Sequence, residues 1–275
     1  LSRADYTALA TRNADFLLML IAFAEAGRYL SRADYTALAT RNADFLLTQL
    51  HPADRLLRSW RVGNAKHNAY LEDYAALALG LLTLYQTDAN PRWFSEAERL
   101  AGDMLGHFSD STGGFFDTRD DHETLVVRPK DLQDNATPSG NALAITALLQ
   151  LSAFTGNGEW RDVAERALAN MQSVLARYPT AFAQWLFALD FALGPVQEIA
   201  IVGPHPARDA LVHPVWARYN PRQVVAISEG NPSGSPSLLK DRPLLNNLPT
   251  AYVCEHFVCQ QPVNEPKKLI ELLNP

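Results

Sequence analysis

The densest group of polar side chains in the chain lies between residues 113 and 141. Carboxylates, amides and cations beside aromatic rings suit a polyhydroxylated ligand, because each hydroxyl needs a hydrogen-bond partner and sugar C–H faces stack on rings. Helix capping by Thr137, with Pro138 as the first helical residue, accounts for only part of the group. We therefore predict a small, sugar-like ligand, with Asp117 and Asp134 as catalytic carboxylates. The predicted binding residues of this group are Arg128, Lys130, Asn135, Ser139 and Asn141.

A second group of chemically capable residues precedes and opens the helix that begins near residue 70. Glu72 and Asp73 are adjacent and therefore about 100° apart on a helix, so at most one points into a pocket and they cannot form a facing pair. They equally suit the first turn of a helix, where carboxylates complement the dipole. His67 titrates near neutrality and can serve as an acid or base, although a lone histidine is more often a hydrogen-bonding loop residue. We predict His67 and Glu72 as catalytic residues and Trp60, Arg61 and Asp73 as binding residues.

Cys254 and Cys259 are the two cysteines of the chain. Residues at this spacing on an extended strand point to opposite faces, which disfavours a disulfide or joint metal ligation unless a turn separates them. Zinc also needs four ligands, and the soft candidates around these cysteines are fewer. The turn at 203–206 lacks the glycines of a nucleotide-binding loop. We therefore predict no metal and no cofactor.

Two kinds of helix alternate along the chain. Some helical segments are apolar on nearly every face, which is typical of helices surrounded by protein. Others carry a single apolar stripe, which is typical of outer helices. Long polar segments at 51–69 and 109–137 precede inner helices, so we expect a pocket at the inner-helix N-termini. The predicted inner helices are 70–85, 138–154 and 181–193, the outer helices are 91–108 and 159–178, and 20–30 with 33–50 form a further pair.

The sequence pattern changes after residue 195. Residues 198–203 and 223–228 are short β-rich runs separated by enough chain for one helix, which predicts a small βαβ unit. Residues 229–249 are rich in Gly, Pro, Ser and Asn and indicate a loop. We predict a helical portion over residues 1–195 and a βαβ-containing subdomain over residues 196–275.

Charge and hydropathy argue against several classes of protein. A formal net charge of −6 disfavours a nucleic-acid or anionic-membrane surface. The longest apolar run, 16–24, is shorter than the ~20 residues that span a bilayer and lacks the flanks of a signal peptide. The low cysteine content agrees with a reducing compartment. We predict a cytoplasmic protein with no nucleic-acid or membrane partner, and the sequence leaves its oligomeric state open.

Residues 1–18 recur identically at residues 30–47. Structural repeats usually diverge while keeping their apolar pattern, so an exact copy indicates an artefact or a recent duplication. The second copy leads into a helix stop at His51 and Pro52, whereas the first runs into Met19 without a turn signal. We predict that residues 1–18 are a duplicated or misassigned segment.

Four motifs occur in order along the chain: LEDYA at 71–75, GGFFDT at 113–118, VRPKDLQDNATPSGNA at 127–142 and YVCEHFVCQQPV at 252–263. Through them the chain resembles the C-terminal part of the thioredoxin-domain-containing family that includes spermatogenesis-associated protein 20. The resemblance implies a thioredoxin-like domain followed by a six-hairpin toroid related to N-acylglucosamine 2-epimerases and glycoside hydrolases. This sequence lacks the thioredoxin-like domain and its redox C-x-x-C motif. Its inner helices also lack the histidines that the epimerases use.

Together these patterns predict a mainly α fold, an incomplete α/α-toroid of the six-hairpin type with a small C-terminal α/β appendage. A closed toroid of this type needs twelve helices and the sequence offers about eight, so we expect an open arc with an exposed apolar edge. For function we predict a carbohydrate-active domain, epimerase-like or glycoside-hydrolase-like. The alternative is a non-catalytic ligand-binding or scaffold module that partners the absent thioredoxin-like domain.

Overall fold

The computed structural model describes residues 13–51, 55–122, 126–230 and 233–274, with the backbone alone for residues 13–16. Residues 1–12, most of the first copy of the repeated segment, lie outside these ranges. The described helices are α1 (Asn13–Tyr29), α2 (Ala33–Phe45), α3 (Leu71–Asp88), α4 (Pro91–His107), α5 (Gly140–Thr155), α6 (Gly158–Arg177), α7 (Ala183–Leu193), α8 (Asp209–Trp216) and α9 (Pro266–Leu273). The described strands are β1 (Leu57–Arg61), β2 (Asn64–Asn68), β3 (Gln197–Val202), β4 (Gln223–Ser228), β5 (Thr250–Glu255) and β6 (Val258–Cys259).

Four helices form an inner row, in which α1, α3, α5 and α7 pack side by side. Helices α2, α4 and α6 lie on the outside of this row, each against the inner helices next to it. Nearly every residue of α3 and α5 is buried, whereas α4 buries one stripe that includes Trp93 and Leu100. A helix that is apolar on all faces needs protein on all sides, and the inner row has it. The predicted mainly helical fold with a small C-terminal sheet is confirmed.

The last helix of the inner row has one open side. On α7, Phe187 is 57% exposed and Leu193 is 78% exposed. Large apolar side chains are therefore exposed at this end of the row, and the open arc of an incomplete toroid stays a prediction. None of the helices in the described ranges is long and apolar enough to cross a membrane.

Helix α5 begins at Gly140 rather than at Pro138. Its N-cap is Ser139, whose Oγ accepts a hydrogen bond from the Ala142 backbone N at 3.3 Å, so the prediction of Thr137 as the cap was wrong. A Cβ atom on Gly140 would lie 2.8 Å from the backbone N of Glu72. Glycine therefore allows the first turns of α3 and α5 to approach closely. This contact brings the polar residues at both N-termini to one end of the inner row.

The polar segment before α3 contains a β-hairpin, where the sequence predicted a loop. Strands β1 and β2 pair antiparallel, with Trp60 opposite Ala65. Val62 and Gly63 form the turn and both have positive φ, as a two-residue hairpin turn requires. Trp60 packs edge-on against Phe45 at the end of α2, with ring centroids 5.4 Å apart. The hairpin is thereby fixed against the helices.

A four-stranded sheet with the order β4-β3-β5-β6 follows the helices. Strands β3 and β4 are parallel and are connected through α8, which is the βαβ unit that the sequence predicts. One face of the sheet, including Ala200 and Val224, shares a core with the helices. The other face, including Ile199 and Val225, packs with α8 and α9. The division into two portions at residue 195 stays a prediction.

Cys254 and Cys259 form a disulfide bond. They are direct partners in the antiparallel pair of β5 and β6, with Cα atoms 3.8 Å apart. His256 and Phe257 reverse the chain between the strands with positive φ angles. Because this turn brings the two sulfur atoms face to face, the prediction that a local disulfide is disfavoured was wrong. Structural disulfides are typical of oxidising compartments, so the bond does not support the cytoplasmic prediction.

Candidate ligand site

Two carboxylates at the start of α3 converge on one arginine. Arg58 of β1 donates from Nη1 to Asp73 Oδ2 at 3.0 Å and from Nη2 to Glu72 Oε1 at 2.5 Å. The Tyr70 backbone N also donates to Asp73 Oδ2, at 2.9 Å, and this bond caps α3. Although Glu72 and Asp73 are adjacent on the helix, both contact one guanidinium because its planar fork offers two donors. Arg58 was absent from the predicted site residues, since the hairpin that carries it was not predicted.

Asp73 is the more buried of the two carboxylates, with 1% of its side chain exposed. Burial raises the pKa of Asp73 to about 6, and the positive charge of Arg58 offsets only part of this effect. Its Oδ1 atom has no hydrogen-bond partner among the described residues. Asp73 therefore takes up a proton close to neutral pH, while its contacts are those of a helix cap and an ion pair.

Asp117 lies beside this cluster and is half-buried. Its backbone O accepts from Leu71 N at 2.9 Å, which attaches the loop to α3. Its Oδ2 atom accepts from the Asp131 backbone N at 2.9 Å. Burial raises the pKa of Asp117, and the negative charges of Asp131 and Glu72 raise it further. Asp117 and Glu72 are therefore neighbouring acids at one end of the inner row.

Asp134, Ser139 and Asn141 bind the backbone. Asp134 accepts from the backbone N of Ser139 and from that of Gln184, both at 2.8 Å, and so joins the starts of α5 and α7. Asn141 is fully buried and pairs with both the backbone N and the backbone O of Phe115. All three side chains bond to the backbone of the protein itself. The sequence predicted a ligand-binding role for them and did not show this structural role.

The two predicted cations of the loop are also engaged by the protein. Arg128 donates to the Thr118 carbonyl, and its Cζ lies 4.2 Å from the centre of the Phe116 ring. Lys130 Nζ donates to Asp110 Oδ2 at 2.8 Å. These contacts join residues of the same loop to one another.

Three further predicted residues, Arg61, His67 and Asn135, are exposed, and Trp60 is half-buried. His67 lies on β2 with a φ of 61°. The structure thus groups Glu72, Asp73 and Asp117, and it gives most other predicted residues contacts within the protein. A ligand site at the N-termini of α3 and α5 stays a prediction.

A cavity of about 350 Å³ runs along the inner row. It is lined by α1, α3, α5 and α7 and by the segment 216–223, which joins α8 to β4. We call it the inner cavity. Each of these five parts contributes a long polar side chain to its lining, namely Arg28, Gln86, Gln150, Gln184 and Gln223 in chain order.

Two of the glutamines are held by the protein. Gln86 Oε1 accepts from the Val225 backbone N at 3.0 Å, which fastens β4 to the end of α3. Gln184 Nε2 donates to Thr146 Oγ1 at 3.0 Å, which links α7 to α5. These bonds set the spacing of the elements around the inner cavity.

Three polar atoms of the lining are buried without a hydrogen-bond partner among the described residues. They are Arg28 Nε, Gln150 Oε1 and Gln223 Nε2. A buried polar atom without a partner costs about 1–3 kcal/mol of stability. All three atoms belong to residues that line the inner cavity, although the atoms themselves are enclosed by protein.

Arg28 is the buried cation of the inner cavity, with 9% of its side chain exposed. Its Nη1 donates to the Thr83 backbone O at 3.3 Å, and its Nη2 lies 3.5 Å from Glu25 Oε1. Its Cζ lies 4.3 Å from the centre of the Trp216 ring and 5.2 Å from that of Tyr29. Burial lowers the pKa of Arg28, although Tyr29 and Glu25 act in the opposite direction.

The sequence did not predict the inner cavity, although two of its glutamines indicate buried polar groups. Gln86 and Gln150 are long polar residues on two mostly apolar helices, and a polar side chain on such a helix needs a partner or a cavity. The sequence does not show that side chains from four helices and a distant strand face a common space.

These features define a mainly helical protein with a polar cavity along its inner helices and a small sheet beside them. The chain is homologous to spermatogenesis-associated protein 20. It is 35% identical to the human protein over 216 residues and 34% identical to the rat protein over 215 residues. These alignments cover 75% and 74% of this chain, and the chain spans 27% of the length of either relative. Membership of a thioredoxin-domain-containing family stays a prediction.

No protein-family model matches the chain. Among solved structures, the cellobiose 2-epimerase from Spirochaeta thermophila DSM 6192 is similar, with a TM-score of 0.49 and 17% sequence identity. The similarity covers 59% of this chain and 43% of that chain. A similarity of this size assigns neither a ligand nor a reaction to the present chain.

Proposed function

We propose that the chain binds a small polyhydroxylated, sugar-like ligand in the inner cavity. The observation that carries the proposal is the set of unpaired polar atoms on Arg28, Gln150 and Gln223. Sugar hydroxyls both donate and accept, so one ligand can pair with all three atoms. The terminal amide torsion of glutamine is broad, so a rotation about it turns the unpaired atom towards a ligand.

The size and the walls of the inner cavity support the same ligand class. Its volume of about 350 Å³ falls within the roughly 300–1,000 Å³ typical of small-molecule sites. Phe187 and Phe191 of α7 contribute rings to the lining, and sugar C–H faces pack on such rings. The rival function is a scaffold for a thioredoxin-like domain, which needs no ligand in the cavity.

Gln150→Leu tests the proposal. Isothermal titration of the protein with neutral and acidic mono- and disaccharides should give binding for at least one sugar. The substitution should weaken that binding about tenfold, because an amide partner of a hydroxyl is lost while side-chain volume is kept.

The matched control is Gln172→Leu, an exposed glutamine on the outer helix α6. This variant should bind the sugar like the unmodified protein. If no sugar binds to the folded protein, or if both variants bind it with unchanged affinity, the inner cavity is not a sugar site and the scaffold function is favoured.

A second candidate function is acid–base chemistry at the N-termini of α3 and α5, with Asp117 and Glu72 as the reacting groups. The observation in its favour is the position of Asp117 beside Glu72 at this end of the inner row, together with the pKa of Asp117, which burial raises. Such a pair suits epimerisation or glycoside hydrolysis, the carbohydrate-active chemistry that the sequence predicts. Neither carboxylate lines the inner cavity, so this candidate is independent of the first.

Asp117→Asn tests this second candidate. If the chain converts any sugar of the panel, as followed by NMR of the anomeric protons, the substitution should slow turnover about a hundredfold, because a general acid is removed. Asp162→Asn, an exposed carboxylate on the outer helix α6, is the control. Unchanged turnover in Asp117→Asn would exclude Asp117 from the chemistry.

A further inference from the structure

We propose that the ligand of the inner cavity carries an anionic group, a carboxylate or a phosphate, which binds the Nε–Nη2 edge of Arg28. The inference rests on the proposed function and narrows its ligand class from sugars in general to acidic sugars.

Two donors of the Arg28 guanidinium, Nε and Nη2, make no short hydrogen bond among the described residues, although Nε is enclosed and becomes accessible only when a neighbouring side chain moves. Nη1 is used, since it donates to the Thr83 carbonyl at 3.3 Å. Nε has no partner among the described residues. Nη2 lies 3.5 Å from Glu25 Oε1, which is longer than a charge-assisted hydrogen bond of roughly 2.7–2.9 Å. Nε and Nη2 are the two donors that a carboxylate or phosphate engages side-on.

Two contacts hold the plane of the Arg28 guanidinium in place. The guanidinium lies 4.3 Å from the centre of the Trp216 ring, and the Thr83 carbonyl holds its far end. A planar donor pair whose side chain is held in place loses little freedom when it binds an oxyanion, which favours affinity. Burial of nine-tenths of the side chain strengthens the interaction further, because water competes less.

Arg28 is buried, whereas the carboxylate that contacts it is not. Glu25 is the carboxylate that contacts the guanidinium, and 44% of its side chain is exposed. Water therefore screens its interaction with Arg28, whereas the buried guanidinium has lost most of its hydration. An anionic ligand can replace Glu25 beside Nη2, because an exposed glutamate is free to turn into solvent.

A second unpaired donor belongs to another residue of the inner-cavity lining. Gln223 Nε2 has no partner among the described residues, and Gln223 lies two positions before Val225, which is bonded to Gln86 of α3. Arg28 is bonded to Thr83, one turn earlier on α3. Arg28 and the strand that carries Gln223 are thus both bonded to the last turns of α3. An acceptor-only group can pair with both donors, whereas Gln150 Oε1 can pair with a hydroxyl.

The test compares glucose, glucuronate and glucose 6-phosphate by isothermal titration against the full chain. At least one acidic sugar should bind about tenfold more tightly than glucose, because a charge-assisted pair is added. The two acids distinguish a carboxylate site from a phosphate site. The preference should shrink as salt is raised, whereas glucose binding should not change.

Two substitutions make the test specific to the Arg28 edge. Arg28→Lys keeps the positive charge but removes the planar pair of donors. The acidic sugar should then bind no more than about threefold more tightly than glucose. Glu25→Gln removes the competing carboxylate, so the acid should bind at least as tightly as it does to the unmodified protein. If glucose binds and neither acid binds more tightly, the inference is wrong while the proposed function stands. If none of the three probes binds, the inference is wrong for these acids, and the wider sugar panel decides the proposed function.

Discussion

Replacing Asn141 with leucine is expected to lower the free energy of unfolding by about 3–4 kcal/mol. Asn141 is fully buried. Its Oδ1 accepts from Phe115 N at 2.8 Å, and its Nδ2 donates to Phe115 O at 2.9 Å and to Asp131 O at 3.3 Å. Leucine has a similar shape but no polar atoms, so the buried backbone groups of Phe115 lose both partners. Each group left unpaired in this way costs about 1–3 kcal/mol.

Urea unfolding monitored by circular dichroism measures the change for Asn141→Leu. The matched control is Asn170→Leu on α6, because Asn170 also bonds the same loop, from its Nδ2 to Thr112 O at 3.0 Å, but is exposed. Water can replace that bond, so the control should lose less than about 1 kcal/mol. If the two variants are equally stable, Asn141 does not hold the loop.

The sequence indicated the polar cluster at 113–141 correctly but not what it does. Backbone hydrogen bonds such as Asp117 N to Pro129 O pair part of the long loop before α5, and its other buried backbone groups must be paired by side chains. Asp134, Asn141 and Arg128 pair them. A ligand site and a self-bonded loop need the same residue types, so composition alone does not distinguish the two.

The helices and the βαβ unit could be predicted because their signals are local. Apolar periodicity separates α3 from α4 within eighteen residues or fewer of sequence. The disulfide could not be predicted, because it depends on a two-residue turn at His256 and Phe257. The inner cavity could not be predicted either, since its glutamines come from elements far apart in sequence. The sequence therefore shows neither the geometry of this short turn nor the contacts between elements that are distant along the chain.

Arg58→Gln is expected to lower the free energy of unfolding by about 3 kcal/mol at pH 8 and by about 1 kcal/mol at pH 4.5. Its side chain is 21% exposed and contacts the almost fully buried Asp73. The pKa of Asp73 rises from its ordinary value of 3.8 to about 6 on folding. Folding therefore favours the protonated form, and the stability that Asp73 confers is fully present below pH 3.8 and lost as the pH rises through 6.

Removing Arg58 leaves Asp73 beside Glu72 with no cation, so the pKa of Asp73 rises further. At pH 8 the folded protein must then bury an uncompensated charge, whereas at pH 4.5 the carboxyl is already neutral. Denaturant unfolding at both pH values measures the difference, and Arg61→Gln, an exposed arginine on the same strand, is the control. The double variant Arg58→Gln/Asp73→Asn should lose most of the pH dependence, because the titrating group is gone. An equal loss at both pH values in Arg58→Gln would show that the arginine stabilises α3 through packing rather than through the charge of Asp73.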